Sequence, residues 1–364
     1  MRLTQHFGRT LREAPAEADM ISHQLVMRAG LARPLAAGIW SYLPLGWRVI
    51  RRLEAILRAE MSAIDGQEVH MPMLQPSDFW EASGRWKTLG PALQRLKNRE
   101  GREFALGPTH EEVLTDLALR EIESYKDLPR MVYQIQAKVR DEPRARGGLI
   151  RLREFLMKDA YSMHVDVDDL DAFYPSMYQA YLNIFERCGL DVLPVEADSG
   201  LMGGSASHEF VLPHQEGEDR IVRCEHCNYA ANIEAAAFER VGGVMDDLAS
   251  LEKVPTPDCE TIADLCHFLG ITPEQTLKAV LYMADERELV FALIRGDLDI
   301  SEAKLANTVG ANALRPAYDD EIKAAGAVAG YASPIGLRVR AAPEGDGVLV
   351  VADPSIRVGT NFVT

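Results

Sequence analysis

A helical pattern of apolar residues runs through residues 45–64. In "LGWRVIRRLEAILRAEMSAI" the apolar positions recur every three or four residues, at Val49, Leu53, Ile56, Leu57, Met61 and Ile64. That spacing predicts an amphipathic helix that buries one face. Gly66 is expected to end the helix, and "EVHMPML" then predicts a short strand that is interrupted at Pro72, because proline cannot donate to a strand ladder.

Two later segments alternate between apolar and polar residues, as strands do. In "MVYQIQAKVRDE" one face is apolar and the other carries Gln134, Gln136, Lys138, Arg140 and Glu142. "RLREFLM" predicts a second strand, and "PRARGGLI" between the two suits an open hairpin loop. If the strands pair antiparallel, their polar faces form one floor that contains Arg140, Glu142, Arg151, Arg153 and Phe155.

The floor has two interpretations on pattern alone. Guanidinium groups bind phosphate bidentately and an aromatic ring can stack on a nucleobase, so the floor fits a nucleoside triphosphate. Charged exposed faces are common, however, and a solvated hairpin whose arginines and glutamates pair with each other fits equally well. The sequence contains neither a Walker-type phosphate loop nor a strand-G-x-G-x-x-G-helix unit.

Composition and charge narrow the class of protein. All four tryptophans and most arginine clusters precede residue 223, and the later part is richer in Ala, Val, Gly and Asp, so we expect a boundary between about 223 and 255. The formal net charge of −16 argues against a surface that coats nucleic acid but permits a local basic patch. No apolar run approaches the roughly 20 residues that span a bilayer, and the N-terminus lacks a secretory signal. We expect a cytoplasmic protein without a membrane association.

Several motifs together resemble one enzyme family. "VRDEPRARGGLIRLREFLMKDAYSMH" resembles motif 2 of the class II aminoacyl-tRNA synthetases, in its bacterial prolyl-tRNA synthetase form, and residues 23–74 resemble motif 1. "LGPTHEEVLTDL" is similar to the amino-acid-binding loop of that family and "MGGSASHEF" to a later substrate loop. The resemblance implies an α+β fold, with an antiparallel sheet flanked by helices and a mixed α/β insertion domain of the editing type.

The resemblance also implies roles for individual residues. Arg140 and Glu142 would be catalytic, with Arg140 on the α-phosphate of ATP and on the carboxylate of proline. ATP would be held by Arg140, Glu142, Arg151 and Phe155, and L-proline by Thr109, Glu111, Arg140, Ser205 and His208. Standing alone, Thr109 would instead be interpreted as a helix cap, Gly203-Gly204-Ser205 as a turn and His208 as a surface histidine. The basic loop with Arg144 and Arg146 would meet the acceptor end of tRNA(Pro).

The last third of the chain resembles the insertion domain that deacylates mischarged alanyl-tRNA in bacterial prolyl enzymes. The matching positions are Lys278, Gly330, Pro334 and Asp353, although Lys278 and Asp353 are also ordinary strand-end residues. A pocket that fits alanine and rejects proline would supply the selectivity, since binding discriminates small apolar side chains poorly. The implied domains are a class II catalytic domain at 1–223, a linker at 224–255 and a partial editing domain at 256–364.

The implied cofactors are ATP and Mg²⁺, with no metal held by protein side chains, and motif 1 implies a homodimer. Cys224 and Cys227 supply only two of the four ligands that a structural zinc site needs, so we expect reduced thiols. Nothing after Asp353 resembles motif 3 or an anticodon-binding domain, so the sequence is expected to be the N-terminal portion of a longer enzyme. Two alternatives remain, namely a class II synthetase for threonine or serine and a non-catalytic synthetase-like protein that binds RNA or a partner.

Overall fold

The chain divides into two compact units in the computed structural model. The first unit comprises Met1–Leu193 and Leu212–Gly217, and the second comprises Pro194–Val211 and Glu218–Thr364. The structure describes residues 2–18, 20–199, 204, 207–239, 247–257, 259, 261–311, 313–328, 333, 335–337, 339–340 and 347–364.

The first unit combines helices with small sheets. Its helices are α1 (Ile21–Arg28), α2 (Pro44–Ala63), α3 (Ser77–Ala82), α4 (Arg85–Thr88), α5 (Glu111–Glu121) and α6 (Val167–Arg187). Its strands are β1 (Ala32–Ala36), β2 (Ile39–Tyr42), β3 (Gln67–Glu68), β4 (Leu74–Pro76), β5 (Arg95–Lys97), β6 (Glu103–Leu106), β7 (Arg130–Val139) and β8 (Glu154–Met163). The strands form three sheets in the orders β1-β2, β4-β6-β5 and β3-β7-β8.

The β7–β8 pair is the centre of this unit. The two strands are antiparallel, with Arg130 opposite Met163 at one end and Val139 opposite Glu154 at the other. One face packs on α2 and α6 through Met61, Met131, Tyr133, Ala180 and Ile184. The predicted helix over 45–64 is confirmed as α2, and the antiparallel pairing of the two predicted strands is confirmed as well.

Two details of the predicted strands are wrong. The second strand begins at Glu154 and not at Arg151. The Arg153 guanidinium donates to the carbonyls of Glu142 (2.9 Å) and Ala37 (3.2 Å), so it does not join the polar floor. The segment around Pro72 is not one interrupted strand. It lies between β3 and β4, which belong to different sheets, and the Met71 N–H donates to the Gln134 side chain at 3.0 Å.

The second unit is built on a mixed sheet. Its helices are α7 (Ile262–Leu269), α8 (Glu302–Val309) and α9 (Asp319–Ala324). Its strands are β9 (Leu193–Glu196), β10 (His208–Val211), β11 (Ile221–Arg223), β12 (Ala230–Asn232), β13 (Leu277–Ala284), β14 (Glu288–Arg295), β15 (Leu314–Pro316), β16 (Val339–Arg340) and β17 (Val348–Ala352). They form sheets in the orders β10-β9-β12-β11 and β15-β13-β14-β17-β16. β12 falls inside the segment predicted as a linker and pairs with β11.

The five-stranded sheet is apolar on both faces. Phe291 and Leu293 of β14 pack with Ile322 on one side, and Val290 and Ala292 pack with Leu305 on the other. A central strand covered on both faces is expected to be almost continuously apolar, as "ELVFALIR" is. The antiparallel sheets flanked by helices and this mixed sheet confirm the α+β fold class. Among the described residues, no helix has both the length and the apolar composition needed to cross a membrane.

Candidate active site

A cavity of about 620 Å³ opens beside the loop between β7 and β8. Its lining includes the residues predicted to hold a nucleotide, which are Arg140, Glu142, Arg151 and Phe155. The guanidinium carbon of Arg140 lies 5.4 Å from the centre of the Phe155 ring, within cation–π range. Arg140 also approaches the carbonyl of Pro108 at 3.5 Å, so it reaches from the cavity to the turn that precedes α5.

Glu142 and Arg151 face each other across the same loop. An oxygen of Glu142 lies 3.9 Å from the Nε of Arg151, which is long for an ion pair between partly exposed side chains. The other Glu142 oxygen accepts the N–H of Arg144 at 3.2 Å and thereby holds the loop. Arg144 and Arg146 are both exposed. Gln134 and Lys138 on the same polar face are completely buried, so that face does not meet solvent along its whole length.

Thr109 and Glu111 form a tight turn at the start of α5. The Thr109 hydroxyl donates to Glu111 at 2.6 Å, and an Arg85 nitrogen lies 3.7 Å from the same carboxylate oxygen. The residue before α5 is His110, and its side chain makes no capping bond, so the interpretation of Thr109 as a helix cap is wrong. The Thr109 hydroxyl is instead committed to a carboxylate that stays one-third exposed.

A buried polar network lies behind this turn and was not predicted. Lys138 on β7 is fully buried and contacts Asp159 at 2.9 Å and the ring of His110. Burial, followed by the charge of Lys138, lowers the pKa of His110 to about 4. Burial also lowers the pKa of Lys138, while burial and the bond to Asp159 raise the pKa of Tyr161. The signal in the sequence was Lys138 and Gln134 in the middle of an alternating strand, where a polar face was assumed to meet solvent.

The remaining predicted residues lie in the second unit. His208 begins β10, and Ser205 lies outside the described residues, as do Gly330 and Pro334. Lys278 on β13 donates to the carbonyl of Leu298 at 2.8 Å and pairs with Asp299.

Asp353 directly follows β17, at the end of the five-stranded sheet where Lys278 also lies. Its N–H donates to the carbonyl of Leu293 at 2.8 Å, and Lys278 lies opposite Ile294 in the adjacent pair of strands. Two of the four predicted editing residues therefore lie at the same end of the sheet, on strands that are separated by β14. Their backbones are about 10 Å apart, since strands are spaced by about 4.8 Å.

Cys224 and Cys227 lie in the loop between β11 and β12. The Cys224 sulfur accepts the N–H of His226 at 3.4 Å. This hydrogen bond, together with hydrogen bonds from Cys227, lowers the pKa of the Cys224 thiol.

Two family models match the chain. Residues 94–275, half of the sequence, match the tRNA synthetase class II core domain (G, H, P, S and T), and residues 256–364 match the aminoacyl-tRNA editing domain. The chain therefore belongs to the class II aminoacyl-tRNA synthetase family.

The curated relatives point to one member of that family. A proline–tRNA ligase of Dehalococcoides mccartyi is 52% identical over 363 residues, and one of Salinispora tropica is 46% identical over 371 residues. Each alignment covers 100% of this chain but only 62% and 61% of the relative, so the chain spans about three-fifths of their length. A solved prolyl-tRNA synthetase of Cryptosporidium parvum with L-proline and AMP covers 55% of this chain and 42% of its own, at 18% identity and a TM-score of 0.49.

Proposed function

We propose that the chain is the adenylating and editing part of a proline–tRNA ligase, which activates proline with ATP and transfers it to tRNA(Pro). The identity to proline–tRNA ligases along the whole chain supports this assignment. The observation that carries it is Arg140, which lies between the Phe155 ring at 5.4 Å and the carbonyl of Pro108, next to the Thr109–Glu111 turn. One cation therefore joins a surface suited to adenine with a carboxylate suited to an amino-acid ammonium.

The reaction needs positioning and charge stabilisation more than proton transfer. A proline carboxylate oxygen attacks the α-phosphorus of ATP, and pyrophosphate leaves as the bond to the bridging oxygen breaks. Arg140 holds both reacting anions and stabilises the charge on the phosphorus, while Phe155 stacks on adenine. Glu111 and Thr109 bind the prolyl ammonium, and Ser205 and His208 stay assigned to proline binding on the resemblance alone.

The loop between β7 and β8 serves the phosphates and the tRNA. Arg151 binds the triphosphate, Glu142 orients the adenosine or the end of the tRNA, and exposed Arg144 and Arg146 meet the acceptor strand. Mg²⁺, when bound with ATP, would neutralise charge on the phosphates. Glu142 and Glu54, the carboxylates that line the cavity, are already engaged with Arg144 and Arg58, so we assign neither as a metal ligand.

The second activity is deacylation of mischarged alanyl-tRNA(Pro). The match of residues 256–364 to an editing domain supports it, with Lys278, Gly330, Pro334 and Asp353 as the site. We assign residues 1–223 to the catalytic domain and 224–255 to the linker.

The protein works in the cytoplasm as a homodimer through α2, on which Trp47, Val49 and Leu53 are 42%, 50% and 40% exposed.

Proline-dependent exchange of pyrophosphate into ATP tests the proposal, with alanine, threonine and serine as parallel substrates. We expect exchange that is strongest with proline and lost in Arg140→Ala. Arg102→Ala is the matched control, because Arg102 also lies over a phenylalanine, with its guanidinium carbon 5.7 Å from the Phe104 ring, and is exposed. Preference for threonine or serine would assign another synthetase. If neither this chain nor the full-length gene product showed exchange with any amino acid, the protein would be a non-catalytic relative.

A further inference from the structure

A fully buried lysine in a sheet needs an explanation. Lys138 is 0% exposed next to the end of β7, opposite Phe155, and its ammonium lies 2.9 Å from one oxygen of Asp159 and 3.0 Å from the other. Removing both charges from water costs several kcal/mol per ion, which the ion pair only partly offsets. Besides the two oxygens of Asp159, the ammonium contacts the Nδ1 atom of His110, and this third contact gives the buried lysine a role beyond the ion pair.

The lysine fixes the state of the His110 ring. An ammonium only donates hydrogen bonds, so Nδ1 must accept and the ring proton must lie on Nε2. Nε2 in turn lies 3.0 Å from the carbonyl of Pro72, to which it donates. Both ring nitrogens are therefore committed, and neither protonation nor a ring flip is compatible with these two contacts.

The same network holds the backbone of the turn. The His110 N–H donates to the Tyr161 hydroxyl at 3.2 Å, and that hydroxyl donates to Asp159. One residue earlier, the Thr109 carbonyl accepts from the buried side chain of Gln75 at 3.1 Å. Side chains from β4, β7 and β8 thus fix residues 109 and 110. These residues directly precede Glu111, the carboxylate proposed to bind the amino acid.

We propose that Lys138, Asp159 and Tyr161 are positioning residues that hold His110 in its neutral Nε2–H form and thereby fix the Thr109–Glu111 turn for an amino-acid ammonium. The part that concerns the substrate rests on the proposed function. The part that concerns His110 does not. The other titratable group that acts on the ring is His70, and Glu111 and Arg140 are the further charges that act on Lys138. The carboxylate of Glu111 carries the charge that meets the substrate ammonium.

Histidine ¹⁵N NMR of the full chain tests the state of the ring. We expect His110, assigned by the signal that disappears in His110→Asn, to be a neutral Nε2–H tautomer that does not titrate between about pH 5 and 7. In Lys138→Met the ring should lose this fixed tautomer and its pKa should rise, because the charge of Lys138 no longer opposes protonation while that of Asp159 still favours it. Lys97→Met is the matched control, because Lys97 pairs with Glu103 at 3.2 Å but is exposed. A protonated or Nδ1–H ring in the wild-type protein would overturn the proposal.

Steady-state exchange kinetics test the role in binding. Tyr161→Phe keeps the buried ring and removes only the hydroxyl that links Asp159 to the His110 N–H, so it is the variant of choice if Lys138→Met does not fold. We expect its KM for proline to rise about tenfold, with kcat and the KM for ATP changed less than about twofold. An equal loss for both substrates, or an unchanged KM for proline, would refute the positioning role. A wild-type chain without exchange would count against the proposed function alone, and the NMR result would then decide the network.

Discussion

His110 makes the stability of the protein depend on pH. Burial and the neighbouring Lys138 lower its pKa from 6.5 to about 4, so the folded protein keeps the ring neutral where the unfolded chain protonates it. Between these values the unfolded chain binds the extra proton, and the free energy of unfolding therefore falls as the pH falls. The loss expected from this residue reaches about 3 kcal/mol at the acid end of the window.

Urea denaturation of the wild type and of His110→Asn at several pH values measures this contribution. Asn keeps an oxygen that accepts from Lys138 but cannot titrate, so its profile should be flatter than that of the wild type between about pH 4 and 6.5. Parallel profiles would mean that the folded protein already protonates His110, contrary to its contacts with Lys138 and Pro72.

At the scale of elements, Gly38 in the β1–β2 turn anchors the loop that carries Arg140 and Arg151. Its carbonyl accepts the Arg153 N–H at 2.9 Å, and its φ is +74°. A Cβ there would lie 2.7 Å from the Cβ of Ala145, so Gly38→Ala combines backbone strain with a clash. We expect it to lower the free energy of unfolding by about 2–4 kcal/mol and to raise the KM for ATP.

Gly101→Ala separates strain from clash. Gly101 has a φ of +82° but open space where its Cβ would be, so it should lose only about 1–2 kcal/mol and leave the KM for ATP unchanged. Chemical denaturation and exchange kinetics on both variants give the comparison. Equal effects would show that the contact with Ala145 is unimportant.

The same elements show how far the sequence could predict the structure. The apolar period located α2, and strict alternation located β7, because both patterns arise from burial of one face. The start of β8 and the role of Arg153 depend on the Gly38 turn, more than 100 residues away, and no local pattern encodes that contact. Alternation also could not distinguish a solvated polar face from a buried one, which is why Lys138 and Asp159 were missed.

At the scale of the whole molecule, α2 leaves an apolar face uncovered in a single copy. If a second copy covers it, Val49→Asp would bury an unpaired carboxylate and should weaken the dimer at least about a hundredfold. Leu119→Asp on α5 is the control, because Leu119 is 78% exposed outside this face. Sedimentation velocity over a range of concentrations measures the effect. A wild-type chain that stays monomeric at every concentration would contradict the proposed dimer.

The chain carries two proposed chemistries, and substitutions should separate them. Lys278 lies on β13 in the second unit, where its ammonium is held by the Leu298 carbonyl at 2.8 Å and by Asp299, which is almost fully exposed and therefore contributes little stability. Lys278→Met should thus leave folding and proline-dependent exchange unchanged while it slows hydrolysis of alanyl-tRNA at least about tenfold. Arg140→Ala should do the reverse, since Arg140 lies in the first unit beside Phe155. Hydrolysis of labelled alanyl-tRNA and pyrophosphate exchange, measured on both variants, give the four rates. If Lys278→Met slowed both reactions alike, the lysine would be structural, and the assignment of this end of the sheet to deacylation would have to be abandoned.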